Sequence, residues 1–169
     1  IPKERLSQQA EIALASFKAG VCVSANLTIG QFDSHANNDV DQMKLIPEFL
    51  AGLAYVIRRA EALKIRDKLV IVIQSEMGRT PTYNKGNGKD HWSIGSIMFL
   101  GPGIKGNRVI GATDDKQFGV ALNPQSLALD KDKGIKIRPE HIHEALREYA
   151  GVADHAHAKK FPLGLAEKE

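Results

Sequence analysis

At 169 residues, with 43% hydrophobic and 25% charged content, the chain has the composition of one ordinary globular domain with a usable core, which excludes disorder as the default reading. Its 23 basic and 20 acidic residues are scattered without a block of like charge, so a net charge of +3 supplies no basic stripe for nucleic acid. The longest apolar runs, such as Leu69 to Ile73, fall far short of the about 20 residues a membrane span takes.

Taken in chain order, Leu6, Ala10, Ala13, Leu14 and Phe17 recur at three and four, which predicts an amphipathic helix from Lys3 to Ala19 that Gly20 stops. The β-branched stretch Val21 to Ile29 reads as a strand between Gly20 and Gly30, with the single cysteine, Cys22, as a buried core thiol and no disulfide possible within the chain. Val40, Met43, Phe49, Leu50, Leu53, Val56, Ile57 and Ala60 mark a long helical face, and Pro47 within it is expected to kink the helix or start a second one. The near-continuous apolar run from Lys68 to Gln74 reads as a strand buried on both faces of a parallel sheet, so that strand, helix and strand make a βαβ unit. A long polar loop from Ser75 to Ser93 follows, then a strand from Ile94 to Leu100 closed by the turn Gly101 to Gly103. Arg108 to Ala112 is a candidate short strand, and Pro139 to Tyr149 a helix with proline in its first turn. There are no internal repeats and no low-complexity tract. The start at Ile1, without methionine and without a signal-peptide pattern, reads as a fragment, with any targeting signal expected upstream.

Structureless loops as long as 75–93 are usually functional. In α/β sheets, moreover, ligands bind beyond the carboxyl ends of strands. Asp33 and His35 follow the first predicted strand, Glu76 and Arg79 the second, and Asp90 and His91 lie in the loop beyond. Carboxylates and imidazoles at successive strand ends can converge as oxygen and nitrogen ligands of a divalent ion. Arg79 has two open roles, a fork that clamps an anionic oxygen or an ion pair with Glu76 or Asp90. Ser34, Ser75 and Thr80 are candidate nucleophiles, but loop hydroxyls are usually caps. His141 with His143 stands outside the expected site, since residues two apart on a helix point to different faces, and His155 with His157, in a tail beyond Gly151, is read as a plain surface pair.

Four phrases are familiar in order. FDSHANN at 32–38 resembles the FDTHxNN signature of the domain of unknown function 1501 family, SEMGRTP at 75–81 its GEFGRTP, GKDHW at 88–92 its GRDHW, and GPGIKGNRVIGATD at 101–114 its GGGIKGGxVIGxTD. The family looks like a branch of the alkaline phosphatase and sulfatase superfamily. The resemblance implies an α/β fold with a mostly parallel central sheet and flanking helices, here a partial domain, with residues 1–169 as the C-terminal portion of a single domain whose N-terminal portion lies upstream. It also implies divalent metals that hydrolyse phosphate or sulfate esters, and export to the periplasm or beyond.

Carried over by position, Asp33 and His35 match ligands of the first metal, Glu76 stands where a metal pair follows the next strand, and His91 matches the last histidine ligand. Asp90 is then a supporting partner or a further ligand. Met77 stands where a second-metal histidine is expected, and the superfamily's nucleophile lies upstream of Ile1. The expectation is a metal-dependent hydrolase of phosphate or sulfate esters without its nucleophile strand. In it Asp33, His35, Glu76, Asp90 and His91 bind metal, and Arg79 and Glu76 serve the chemistry. Zinc is the first choice of ion, with calcium, magnesium and manganese as alternatives. The expected partners are an anionic small-molecule or glycan ester and the missing N-terminal half, with no nucleic acid. The alternative is a catalytically degenerate member that binds an anionic glycan or a protein partner, which Met77 favours.

Overall fold

Leu6, Ala10, Ala13 and Leu14 fall on one stripe of a 3.6-residue period, and in the computed structural model, which describes residues 5–164, that stripe is the buried face of helix α1 (Arg5–Lys18). Lys3 and Glu4, where the predicted helix begins, lie outside the described residues. Gly20, at a φ of 71°, ends α1 in the left-handed conformation that glycine adopts without steric cost. Helix α2 (Asn38–Ala62) packs against α1, and Leu45, Gly52 and Ala60 are among its buried residues. Gly52 permits the close approach, because a Cβ there would stand 2.5 Å from Leu6 Cδ2. Burying Leu14, which is 2% exposed, contributes on the order of 2 kcal/mol.

The helix–helix contact is polar at one point. The Arg59 guanidinium grips Glu11 from Nε (2.8 Å to Oε2) and Nη2 (2.6 Å to Oε1), and the Tyr55 hydroxyl donates to Glu11 Oε2 at 2.7 Å. Of the two outcomes expected at Pro47, the second does not occur: α2 runs through it as one helix, and no new helix starts there. Proline removes one N–H from the ladder, which costs one hydrogen bond of the helix.

The sheet corrects the sequence reading. Among the described residues there is no parallel central sheet. Strand β1 (Ile71–Ile73) pairs with β4 (Met98–Leu100) antiparallel, with Val72 opposite Phe99, and β2 (Gly78–Arg79) pairs with β3 (His91–Trp92) antiparallel. A parallel pair needs a crossover between its strands. Here the segment between β1 and β4 folds back on itself as the β2–β3 hairpin, so β4 returns beside β1 in the opposite direction.

The first predicted strand does not form either. Residues 21–29 run as irregular chain, with Val21 and Val23 exposed and Cys22 only partly buried. Its backbone meets a side chain in place of a neighbouring strand: the Gln9 carboxamide accepts from Thr28 N and donates to Thr28 O, both at 2.9 Å. No βαβ unit results.

Contacts divide the chain into two compact units, Ile1–Gly106 and Asn107–Glu169. The second is built on bridges of Leu122 to Leu129 and to Ile135, which bury Leu122, and on helices α3 (Pro139–Tyr149) and α4 (Ala156–Lys160). The strand predicted at Arg108 to Ala112 does not form, and Val109 is exposed. His141 serves the start of α3, where its Nδ1 accepts from Arg138 N at 3.0 Å. No described helix is long and apolar enough to cross a membrane.

Candidate metal centre

The long loop after β1 owes its shape to two pairings. Within the β2–β3 hairpin Arg79 stands opposite His91, and beyond it the segment that leads into α2 lies against the hairpin's far end. Ala36 bridges Asn87, Asn37 N donates to Gly86 O, Asn38 N to Asn87 O and Lys89 N to Ser34 O, at 2.9 to 3.0 Å. Gly88 makes this register possible. It is buried, and a Cβ there would stand 2.0 Å from the carbonyl of His35. Residues some fifty positions apart are thereby brought face to face.

Three potential ligand atoms converge as a result. Asp33 Oδ1 lies 3.0 Å from His35 Nε2 and 3.3 Å from His91 Nε2, and the two imidazole nitrogens are 3.2 Å apart. Of the described residues, these three form the group of potential ligands whose atoms lie within 4.8 Å of one another, and all three are exposed to solvent.

Asp90 joins from the opposite edge of the ring, with its Oδ1 2.9 Å from His35 Nδ1. It is therefore a partner of a ligand and lies outside the ligand group. Arg79 extends Nη1 to Lys89 O at 3.2 Å and Nη2 to Asp33 Oδ1 at 2.5 Å. Its ion pair is thus with Asp33, and neither Glu76 nor Asp90 receives it. Glu76 stands outside the ligand group, exposed, and accepts from Ser75 Oγ at 3.2 Å.

The electrostatics follow these contacts. The Arg79 guanidinium, and after it His91, hold the Asp33 carboxyl below the usual carboxylate range, and His35 and then Asn84 do the same for Asp90. Both acids are ionised at neutral pH. With the Nδ1 proton of His35 directed to Asp90, a neutral His35 ring turns the lone pair of Nε2 toward the carboxylate oxygen of Asp33. The donor set of two imidazole nitrogens and one carboxylate oxygen fits a divalent ion of the zinc type.

The hydroxyls raised as nucleophiles are occupied locally. Ser34 is buried and bonded to Asn38 Oδ1, Thr80 Oγ1 donates to Thr82 O, and Ser75 donates to Glu76. One residue that sequence reasoning passed over is central to the geometry. Asn84 donates to His35 O and Asp90 Oδ1, and accepts from Gly86 N and Gly88 N. The signal for it was slight, an asparagine two and four residues ahead of glycines in a polar loop.

Residues 7–131 match a protein family of unknown function, DUF1501. No curated protein and no solved structure matches the chain.

Proposed function

As this chain belongs to the protein family of unknown function DUF1501, we propose that it carries the metal centre of a hydrolase of phosphate or sulfate esters related to the alkaline phosphatases and sulfatases, in which Asp33, His35 and His91 hold one divalent ion, zinc before manganese, magnesium or calcium. The observation that carries this reading is the convergence of Asp33 Oδ1, His35 Nε2 and His91 Nε2 at 3.0 to 3.3 Å. Three protein ligands of this kind are the set by which catalytic zinc sites keep a position for water or substrate. The kinship rests on the ligand set and the motifs. It does not rest on the sheet, which is antiparallel.

When bound, the ion supplies a Lewis acid that polarises a phosphoryl or sulfuryl oxygen at neutral pH. The chain's own residues bind and orient. Asp90 accepts from His35 Nδ1 and so keeps Nε2 as the ligand atom. Arg79 fixes the Asp33 carboxylate and places a permanent positive charge beside the ligands, which favours an anionic ester over a neutral one. Ser34, Ser75 and Thr80 are not assigned the attacking role, since each is engaged locally. Export to the periplasm or beyond belongs to the same proposal and stands on the motif resemblance.

The test is elemental analysis after exhaustive dialysis, on the protein and on His91→Ala. Near-stoichiometric metal in the first and its loss in the second are expected, and that result justifies a screen of phosphate and sulfate esters. Absence of metal from both proteins sinks the reading. The position of Glu76 outside the ligand group favours a second reading, a metal-holding relative that binds an anionic glycan without turnover. Metal and glycan binding with no hydrolysis of any ester would select it.

A further inference from the structure

The Asn84 side chain uses both ends of its amide. Its Oδ1 accepts from Gly86 N and Gly88 N, each at 2.9 Å, and Asn84 N donates to Gly88 O at 2.9 Å, so the oxygen end closes the loop on itself. Its Nδ2 leaves the loop. It donates to His35 O and to Asp90 Oδ1, each at 2.9 Å. The orientation follows from the partners: a flipped amide would set its NH2 against two N–H groups and its oxygen against a carbonyl and a carboxylate.

Two contacts that both bear on His35 are hard to explain by loop closure. Asn84 holds the backbone of His35 directly, and it holds Asp90 Oδ1, the same oxygen that receives His35 Nδ1 at 2.9 Å. Both the position of the imidazole and the acceptor that fixes its tautomer thus depend on one carboxamide. Residues that orient a ligand histidine in this way typically change metal affinity 10- to 100-fold when lost.

We infer that Asn84 is a positioning residue of the metal centre, acting on His35 through Asp90 and the His35 carbonyl; this rests on the assignment of Asp33, His35 and His91 as ligands. The discriminating variant is Asn84→Asp. A carboxylate keeps the acceptors for Gly86 N and Gly88 N, which preserves the loop, but it has no N–H for Asp90 or for the His35 carbonyl and sets charge against both.

The full chain and its Asn84→Asp variant are titrated with Zn2+ by calorimetry and with Co2+ by visible absorption, which reports the ligand field and not the fold. The expected result is a loss of Zn2+ affinity of about tenfold or more with an altered Co2+ spectrum. Smaller losses with an unchanged spectrum overturn the inference and leave the metal site standing. Failure of the unsubstituted chain to bind either ion overturns both.

Should Asn84→Asp not fold, Asn84→Ala, Asp90→Ala and the double variant replace it. Losses in affinity that do not add show that Asn84 acts through Asp90, and additive losses overturn the inference.

Discussion

Gly88 shows how much of this site hangs on a missing atom. Its neighbours in the chain, Lys89 and Asn87, bond to the backbone of Ser34 and Asn38, so the two segments lie as close as backbone allows at residue 88. A methyl group there would meet the His35 carbonyl at 2.0 Å, a contact that only backbone movement relieves. Gly88→Ala is expected to destabilise the fold by about 1–3 kcal/mol, as overpacking does. It is also expected to abolish Zn2+ uptake, since the movement separates His35 from Asp90 and His91. Chemical denaturation and metal analysis of the same sample check both parts, and a destabilised variant with full metal would detach Gly88 from the site. By contrast Ser75 touches only Glu76 among the contacts described, and nothing of the ligand geometry depends on it.

At the scale of elements, α1 and α2 form the best-defined contact. It combines an apolar seam with the bidentate Arg59–Glu11 pair that Tyr55 completes. Arg59, and next Tyr55, hold the Glu11 carboxyl below its ordinary value, and the same contacts raise Tyr55 and Arg59. The unfolded chain therefore takes up a proton on Glu11 at higher pH than the folded chain does. The stability this pair contributes is fully present above the unfolded pKa of glutamate and is lost as pH falls through the lower, folded value. Glu11→Gln is expected to flatten the acid limb of a plot of unfolding free energy against pH and to leave the neutral limb parallel. An acid limb of unchanged slope would show that the pair does not report on folding. The β2–β3 hairpin is the other decisive element, short but essential, because it sets Arg79 across from His91 and carries His91 to Asp33.

For the molecule as a whole, the buried apolar side chains among the described residues are few and small: Leu6, Ala10, Ala13, Leu14, Leu45, Ala60 and Leu122. Meanwhile Val40, Met43 and Leu50 on α2 stand more than half exposed. A thin interior leaves a small margin between hydrophobic gain and chain entropy, so a bound ion weighs heavily. All three proposed ligands belong to the first unit and join the segment before α2 to β3. Zn2+ at a hundred times its Kd is expected to add about 2.7 kcal/mol to the stability of that unit. Calorimetric melting with and without Zn2+ checks this, with His91→Ala as the control that should not respond. An equal rise in the control would assign the effect to binding elsewhere.

What the sequence determined by itself was local or chemical. The three-and-four spacing of Leu6, Ala10, Ala13 and Leu14 specified α1, Pro139 marked the first turn of α3, and the acids and histidines among the polar loop residues, Asp33, His35, Asp90 and His91, marked the side chains that come together. Helix periodicity and side-chain chemistry are carried by neighbours in the chain. Tertiary structure alone decided the rest. Strand composition at residues 21–29 could not supply a backbone partner, and the apolar run before Gln74 could not say in which direction its neighbour would run, because sheet pairing is a relation between segments. The same holds within the site. Asp90 differs from His91 by one position, and only the fold set one behind the His35 ring and the other beside Asp33 and His35 Nε2. Glu76 stayed outside and Asn84 came in for the same reason: hydrogen bonds between distant backbones fixed which side chains could meet.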